Sequence, residues 1–158
     1  MRRLDFKGIR GLYLALIGVL PMVTGGCTSF DHDWQNAARQ FPSPEDIQGR
    51  WQGVWLSDVN HHTDSLRCVI TKKSDGVYKA RFLARYHRVL SFGYTTLLKT
   101  EPDGAEWKFT GEANLGWLKG GVYHYEGRAS VTNYFSTYRC KYDNGTFQMG
   151  RPPVTAGK

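Results

Sequence analysis

The side chains able to do covalent chemistry are few, and three of them are thiols: Cys27, Cys68 and Cys140. What stands in front of Cys27 sets it apart. Arg2, Arg3, Lys7 and Arg10 make a positive start, Gly11 to Val23 an apolar run, and Thr24-Gly25-Gly26 a small-residue stretch directly before the thiol. A charged beginning, a short apolar stretch and a small-residue processing site are the marks of a secretory signal. The run spans 13 residues and is interrupted by Pro21. A membrane-crossing helix needs roughly 20 apolar residues for about 30 Å of hydrocarbon. Export leaves Cys68 and Cys140 as an even pair in a compartment where disulfides persist. Closing a loop of about 70 residues adds roughly 4 kcal/mol in the chain-entropy description. The alternative is a pair of small buried hydrophobes, as free cysteines often are.

The other groups suited to catalysis or metal binding do not assemble in the sequence. His61-His62, with Asp58 and Asp64, has the composition of a metal site, but adjacent histidines on a strand project to opposite faces. The stretch Ser57 to Asp64 therefore reads as the first hairpin loop. His124 lies on a charged face with Glu126, and His87-Arg88 ends a strand. No serine stands in a nucleophile-elbow sequence. The expectation is no catalytic residue, no metal and no cofactor.

Composition narrows the partners. Of the 21 Lys+Arg and 14 Asp+Glu, the leader holds four and one, so the net +7 of the chain falls to +4 without it. These cations are scattered, whereas a nucleic-acid surface requires a clustered basic face; no nucleic-acid partner is predicted. Cleavage before Cys27 leaves 132 of the 158 residues, room for one domain.

The elements that would position any site begin at Gly49, where the hydrophobic period becomes two. Eight strand-like runs follow, at approximately 49–57, 65–72, 77–87, 90–100, 106–113, 121–129, 133–142 and 146–151. Ser74-Asp75-Gly76, Pro102-Asp103-Gly104 and Asp143-Asn144-Gly145 are turn sequences, because Gly and Asn tolerate positive φ. Tyr78, Ala80, Phe82, Ala84 and Tyr86 share one face, and Lys79, Arg81 and Arg85 the other. One wet and one dry face per strand, with short connections, indicates an antiparallel meander. No helical run is long enough to cover it, so closure into an all-β up-and-down barrel removes the edges. A β-sandwich is the alternative. Before the barrel, Trp34 to Phe41 suits two helical turns with Asp33 as N-cap, and Ser43-Pro44 a short capped turn.

Two resemblances add to this reading. Thr24-Gly25-Gly26-Cys27 resembles the lipobox of bacterial lipoproteins, whose cysteine receives a diacylglyceryl group before cleavage. It implies a signal peptide over 1–26, a lipid-anchored tether over 27–47, the barrel over 48–152 and a flexible tail over 153–158. Cys27 would carry fatty-acyl chains such as palmitate, each buried CH₂ contributing about 0.8 kcal/mol to membrane anchorage. Thr28 follows in place of Asp, which implies the outer membrane of the cell envelope, facing the periplasm.

The second resemblance rests on Phe41 to Trp51, where a short turn precedes Gly49-x-Trp51, and on Thr132-Asn133-Tyr134. Both are similar to lipocalins and related calycin barrels. The resemblance implies that Trp51 plugs one end of the barrel and Arg151 lies over it. It also implies a small hydrophobic ligand, for which Trp55, Tyr78, Phe82, Tyr94, Trp107 and Tyr138 are the candidate residues. Small residues between the aromatic ones would leave a cleft; the alternative is that the rings interdigitate and fill the barrel. A disulfide between Cys68 and Cys140 would have to cross the lumen between non-adjacent strands, which requires a flattened barrel. Leu115, Trp117 and Leu118, in a glycine-flanked connection, either cap the mouth or face a partner or membrane. The resulting expectation is a non-enzymatic binding protein tethered to membrane lipid through Cys27. Its alternative is an assembly lipoprotein gripping an envelope protein through its surface.

Overall fold

The computed structural model describes residues 25–41, 45–87 and 89–153. The expected leader as far as Thr24, the Ser43-Pro44 turn and the tail beyond Pro153 lie outside these residues, as does the side chain of Cys27. Helix α1 (Gly25–Gln40) precedes strands β1 (Gly49–Ser57), β2 (Thr63–Ser74), β3 (Val77–Tyr86) and β4 (Leu90–Asp103). After these come β5 (Glu106–Asn114), a single 3-10 turn at Trp117–Lys119, β6 (Val122–Ala129), β7 (Asn133–Arg139) and β8 (Asn144–Gly150). Each strand pairs antiparallel with the next, and β8 returns to β1 to close the barrel.

The alternation predicted for the third run sets the sidedness of β3. Tyr78, Ala80, Phe82 and Ala84 face inward and are buried, while Lys79, Arg81 and Arg85 face out. Closure depends on glycine at the seam. A Cβ on Gly53 would stand 1.9 Å from the Gln148 carbonyl oxygen, and one on Gly145 would stand 1.9 Å from that of Leu56. Gly145 was expected in a turn; the turn instead falls at Cys140–Asp143, and Gly145 sits within β8 where two backbones nearly touch.

The segment before the barrel corrects the sequence reading. The helix is 16 residues long, twice the expected two turns, and it lies against the barrel wall. Phe30, Trp34 and Ala37 are spaced at i, i+4 and i+7, one stripe of a helix. That stripe covers Val69 and Leu83, the two outward residues of β2 and β3 that are buried. Arg67 lies over the rings of Phe30 and Trp34, and Arg50 over Trp34. Asp33 is no cap, because the helix starts eight residues earlier; its carboxylate accepts from Arg81, whose guanidinium also donates to Ser29. Asp31 pairs with Arg67 at 3.1 Å.

Candidate functional site

The two ends of the barrel are built differently. At the closed end Trp51 is fully buried and its indole N–H donates to the Ile47 carbonyl at 2.9 Å. The Arg151 guanidinium lies over that indole, 3.8 Å from the ring centre to Cζ. Its N–H groups donate to the carbonyls of Val131, Gln48, Asp46 and Arg50. Burial pushes Arg151 down to about 10, so it still carries its charge at neutral pH. Asp46 completes this end by accepting from the Gln48 amide at 2.7 Å and the Tyr78 hydroxyl at 3.1 Å.

Between the ends, the six residues expected to contact a ligand all face inward but are spread along the barrel. Phe82 is at the centre, fully buried, with Tyr94 stacked at 5.1 Å and Phe147 tilted at 5.6 Å. Tyr78 and Trp107 lie toward the closed end, where Tyr78 is occupied by Asp46. Trp55 and Tyr138 lie toward the mouth and also have protein partners. The Trp55 indole donates to the Arg85 carbonyl at 2.9 Å, and the Tyr138 hydroxyl to Asp143 at 2.9 Å. Aromatic rings thus occupy most of the lumen. Cys68, packed there against its β-partners Trp51 and Phe82, is a free thiol, and so is Cys140 in the β7–β8 turn. The expected disulfide is not formed: β7 ends at Arg139, and Cys140 sits in the turn beyond it, beside Gly120 of the β5–β6 loop and the Tyr123 side chain.

Half of the mouth is sewn shut. Asp143 accepts from Ser57 at 2.6 Å and from Tyr138, and Ser57 accepts from the amides of Val59 and Asn60. Beside it, His62 stands among Trp55, Tyr86 and His87, with ring centres 4.5 to 5.1 Å away. The His62 Nε2 atom is buried without a hydrogen-bond partner. Both histidines of the expected hairpin loop are indeed outside the strands, with His61 in a left-handed conformation at φ 57°. His124 pairs with Glu112 across the β5–β6 ladder at 2.8 Å rather than with Glu126.

The other half is open, for a reason in the strand lengths. β4 pairs with β3 from Leu90 onward, yet its ladder with β5 begins only at Leu97. The chain leaves β5 at Asn114 and loops over as far as Gly121, so the mouthward half of β4 lacks a neighbour there. Phe92, Tyr94, Leu115 and Tyr123 are only partly buried at this opening. Below them the hydroxyls of Tyr94 and Tyr125 face each other and meet no other protein partner. Tyr134 and Ser136, deeper in, likewise bring together two hydroxyls that meet no other protein partner. Burial pushes the phenols of Tyr94, Tyr123, Tyr125 and Tyr134 well above their ordinary value. The Cys68 thiol is pushed up for the same reason. At neutral pH the lumen therefore offers neutral hydrogen-bond donors and no thiolate.

Sequence reasoning placed Tyr94 and Tyr138 in the wall but did not single out Tyr125, Tyr123 or Phe92 as the mouth. Their position depends on where β5 ends, which alternation alone does not mark. It also missed a groove of about 810 Å³ outside the barrel, across β4 to β8, lined by Lys99, Glu112, His124, Glu126 and Arg139 among others.

No family model matches this chain, and neither curated proteins nor solved structures give a match. What the geometry defines is a class: a closed, eight-stranded, antiparallel up-and-down β-barrel, consistent with a lipocalin-like barrel, carrying one packed helix.

Proposed function

We propose that this protein is a cell-envelope lipoprotein, held to membrane lipid through Cys27 on the periplasmic face of the outer membrane, that acts by binding rather than by catalysis. Its ligand is a small, largely apolar molecule taken up shallowly at the mouth. The observation that supports this reading is the overhang of β4 beyond β5. It leaves Tyr94 and Tyr123 only partly buried, and the Tyr94 and Tyr125 hydroxyls with no protein partner beyond each other. A buried hydroxyl without a partner costs about 1–3 kcal/mol. A carbonyl, ether or hydroxyl on the ligand would recover that cost while its apolar part lies on the rings. Phenols held protonated are suited to donate such bonds. The filled lumen below limits the ligand to the mouth, so a deep cup enclosing a long chain is not proposed.

Native mass spectrometry of the acylated chain, extracted gently from its own host, tests this. A stoichiometric small molecule that co-purifies with the natural chain and is lost on Tyr94→Phe with Tyr125→Phe supports the reading. An empty barrel whose folding is unaffected by those substitutions, and which takes up no apolar probe, overturns it.

A second reading, of an assembly lipoprotein that grips an envelope protein, is favoured by the outer groove. Its mixed lining of Lys99, Arg139, Glu112 and Glu126 suits a polar partner surface rather than a lipid.

A further inference from the structure

We propose that the mouth of the barrel rests on the membrane surface, its apolar rim seated among lipid headgroups and upper acyl chains. Among the described residues eleven large apolar side chains are exposed, and eight of them belong to the mouth. The rim is led by Val89 at 84 %, Trp117 at 80 %, Leu118 at 77 % and Leu90 at 65 % exposure. They come from two neighbouring connections, β3–β4 and β5–β6, flanking the opening described above. The three others, Val54, Leu97 and Phe135, stand singly on the walls. Scattered apolar residues are ordinary, whereas a contiguous set at one end of a molecule marks a contact surface.

Three observations select lipid as the occupant. First, Cys27, the proposed lipid anchor, falls in the first turn of α1, where the chain joins the fold. From Phe41, beside Gly49 at the closed end, α1 passes over β2 and β3 and reaches β4. The membrane-bound end of the chain thus meets the barrel on the flank whose turn carries Val89 and Leu90. Second, the mouth connections hold Lys141 in the fold and Arg88 and Lys119 in the sequence, cations suited to anionic headgroups, beside an exposed acid, Asp58, that accepts from the Asn144 amide. Asp143, an acid at that end, is turned inward to Ser57 and Tyr138. Third, exposed aromatic and aliphatic side chains mixed with cations are the composition of interfacial segments. The walls exclude deeper insertion: Lys99, Lys108, Glu112, Glu126 and Arg128 face outward, where a spanning barrel carries an apolar band.

This inference rests on the lipid-anchor reading and deepens it, because a mouth opening onto the bilayer can collect an apolar ligand from the membrane without passage through water. Quenching by brominated acyl chains tests it with the full acylated chain on phosphatidylethanolamine and phosphatidylglycerol vesicles. Trp34, Trp51 and Trp55 are buried and the partly buried Trp107 lies at the closed end, so contact of the mouth with lipid falls on Trp117. The expected result is strong quenching of tryptophan emission that Trp117→Phe removes, with both chains floating with the vesicles. Flotation with unquenched Trp117 overturns the rim contact and leaves the anchor standing, and points to a protein partner for the rim. Failure to float overturns both.

Discussion

The guanidinium of Arg151, the first residue after β8, lies 3.8 Å over the indole of Trp51 in β1, joining the two ends of the barrel chain. One side chain there stacks on a ring and supplies donors to four carbonyls near the closed end. A cation over an indole contributes roughly 0.5–2 kcal/mol, and hydrogen bonds to a charged group about 1.5–3 kcal/mol. Arg151→Met is expected to cost about 2–4 kcal/mol in denaturant unfolding. Arg151→Lys should recover little of it, because an ammonium lacks the planar fork that reaches several carbonyls at once.

Trp34 is the anchor of α1. It packs with Phe30 against Val69 and Leu83 and lies under the guanidinium groups of Arg50 and Arg67. Trp34→Ala removes a buried aromatic side chain, a change that costs about 3–5 kcal/mol where the site cannot collapse. Here the helix lies outside the closed barrel, so the loss should appear as local release. Limited proteolysis is expected to cut within α1 while amide exchange in the strands stays slow. Equal loss of protection in every strand would show that the helix and barrel unfold as one unit.

The eight strands were legible because the fold depends on period-two sidedness, and each wall residue carries that signal in its own side chain. Tyr78, Ala80, Phe82 and Ala84 are inward for the reason their neighbours Lys79 and Arg81 are outward. Two departures were not legible. Val69 and Leu83 broke the alternation, and only α1 explains why an outward apolar residue is needed at each. The mouth depends on the seven residues of β4, starting at Leu90, that precede its ladder with β5 at Leu97. That is a property of register, and two strands of the same pattern slide past one another without changing either pattern.

The two thiols should differ in reactivity. Cys68 is fully buried and its thiol is pushed well above its ordinary value by that burial, whereas Cys140 is half-buried in a turn. Since the thiolate is the reactive form, a folded chain treated with iodoacetamide at pH 8 is expected to lose Cys140 first. Cys68 should react only at the rate of global unfolding. Mass spectrometry under non-reducing conditions should find both sulfurs as thiols; a bond between them would require β2 and the β7–β8 turn to approach across the lumen.

Alkaline pH should unfold the barrel through its tyrosines. Among the described residues six have phenols raised above the ordinary value: Tyr78, Tyr94, Tyr123, Tyr125, Tyr134 and Tyr138. Burial is the main cause in each. Tyr78 is pushed up to about 12, with the Asp46 carboxylate adding to the effect. A raised acid holds its proton longer in the folded chain than in the unfolded one, whose phenols release theirs near pH 10. The stability linked to these groups is therefore complete below about pH 10 and falls as pH rises through 12. The phenolate absorbance of these six should appear together with loss of near-ultraviolet dichroism. Tyr78→Phe should shallow the decline between pH 10 and 12.

The seam between β8 and β1 is where a single methyl should do most damage. A Cβ on Gly145 would overlap the Leu56 carbonyl oxygen at 1.9 Å, and the atom it meets is backbone that cannot rotate aside. Gly145→Val must push β8 from β1, which leaves two unpaired edges on a sheet that covers itself only by closing. A loss above about 4 kcal/mol belongs to this kind of overpacking, so the expected outcome is a chain that fails to fold or associates through its open edges. Gly104 provides the contrast. It turns the β4–β5 hairpin at φ +66° with nothing within 4 Å of its would-be Cβ. Asn tolerates that left-handed conformation, so Gly104→Asn should stay within about 1 kcal/mol of the natural chain. Thermal unfolding of the two variants side by side distinguishes a glycine required for room from one required for its turn.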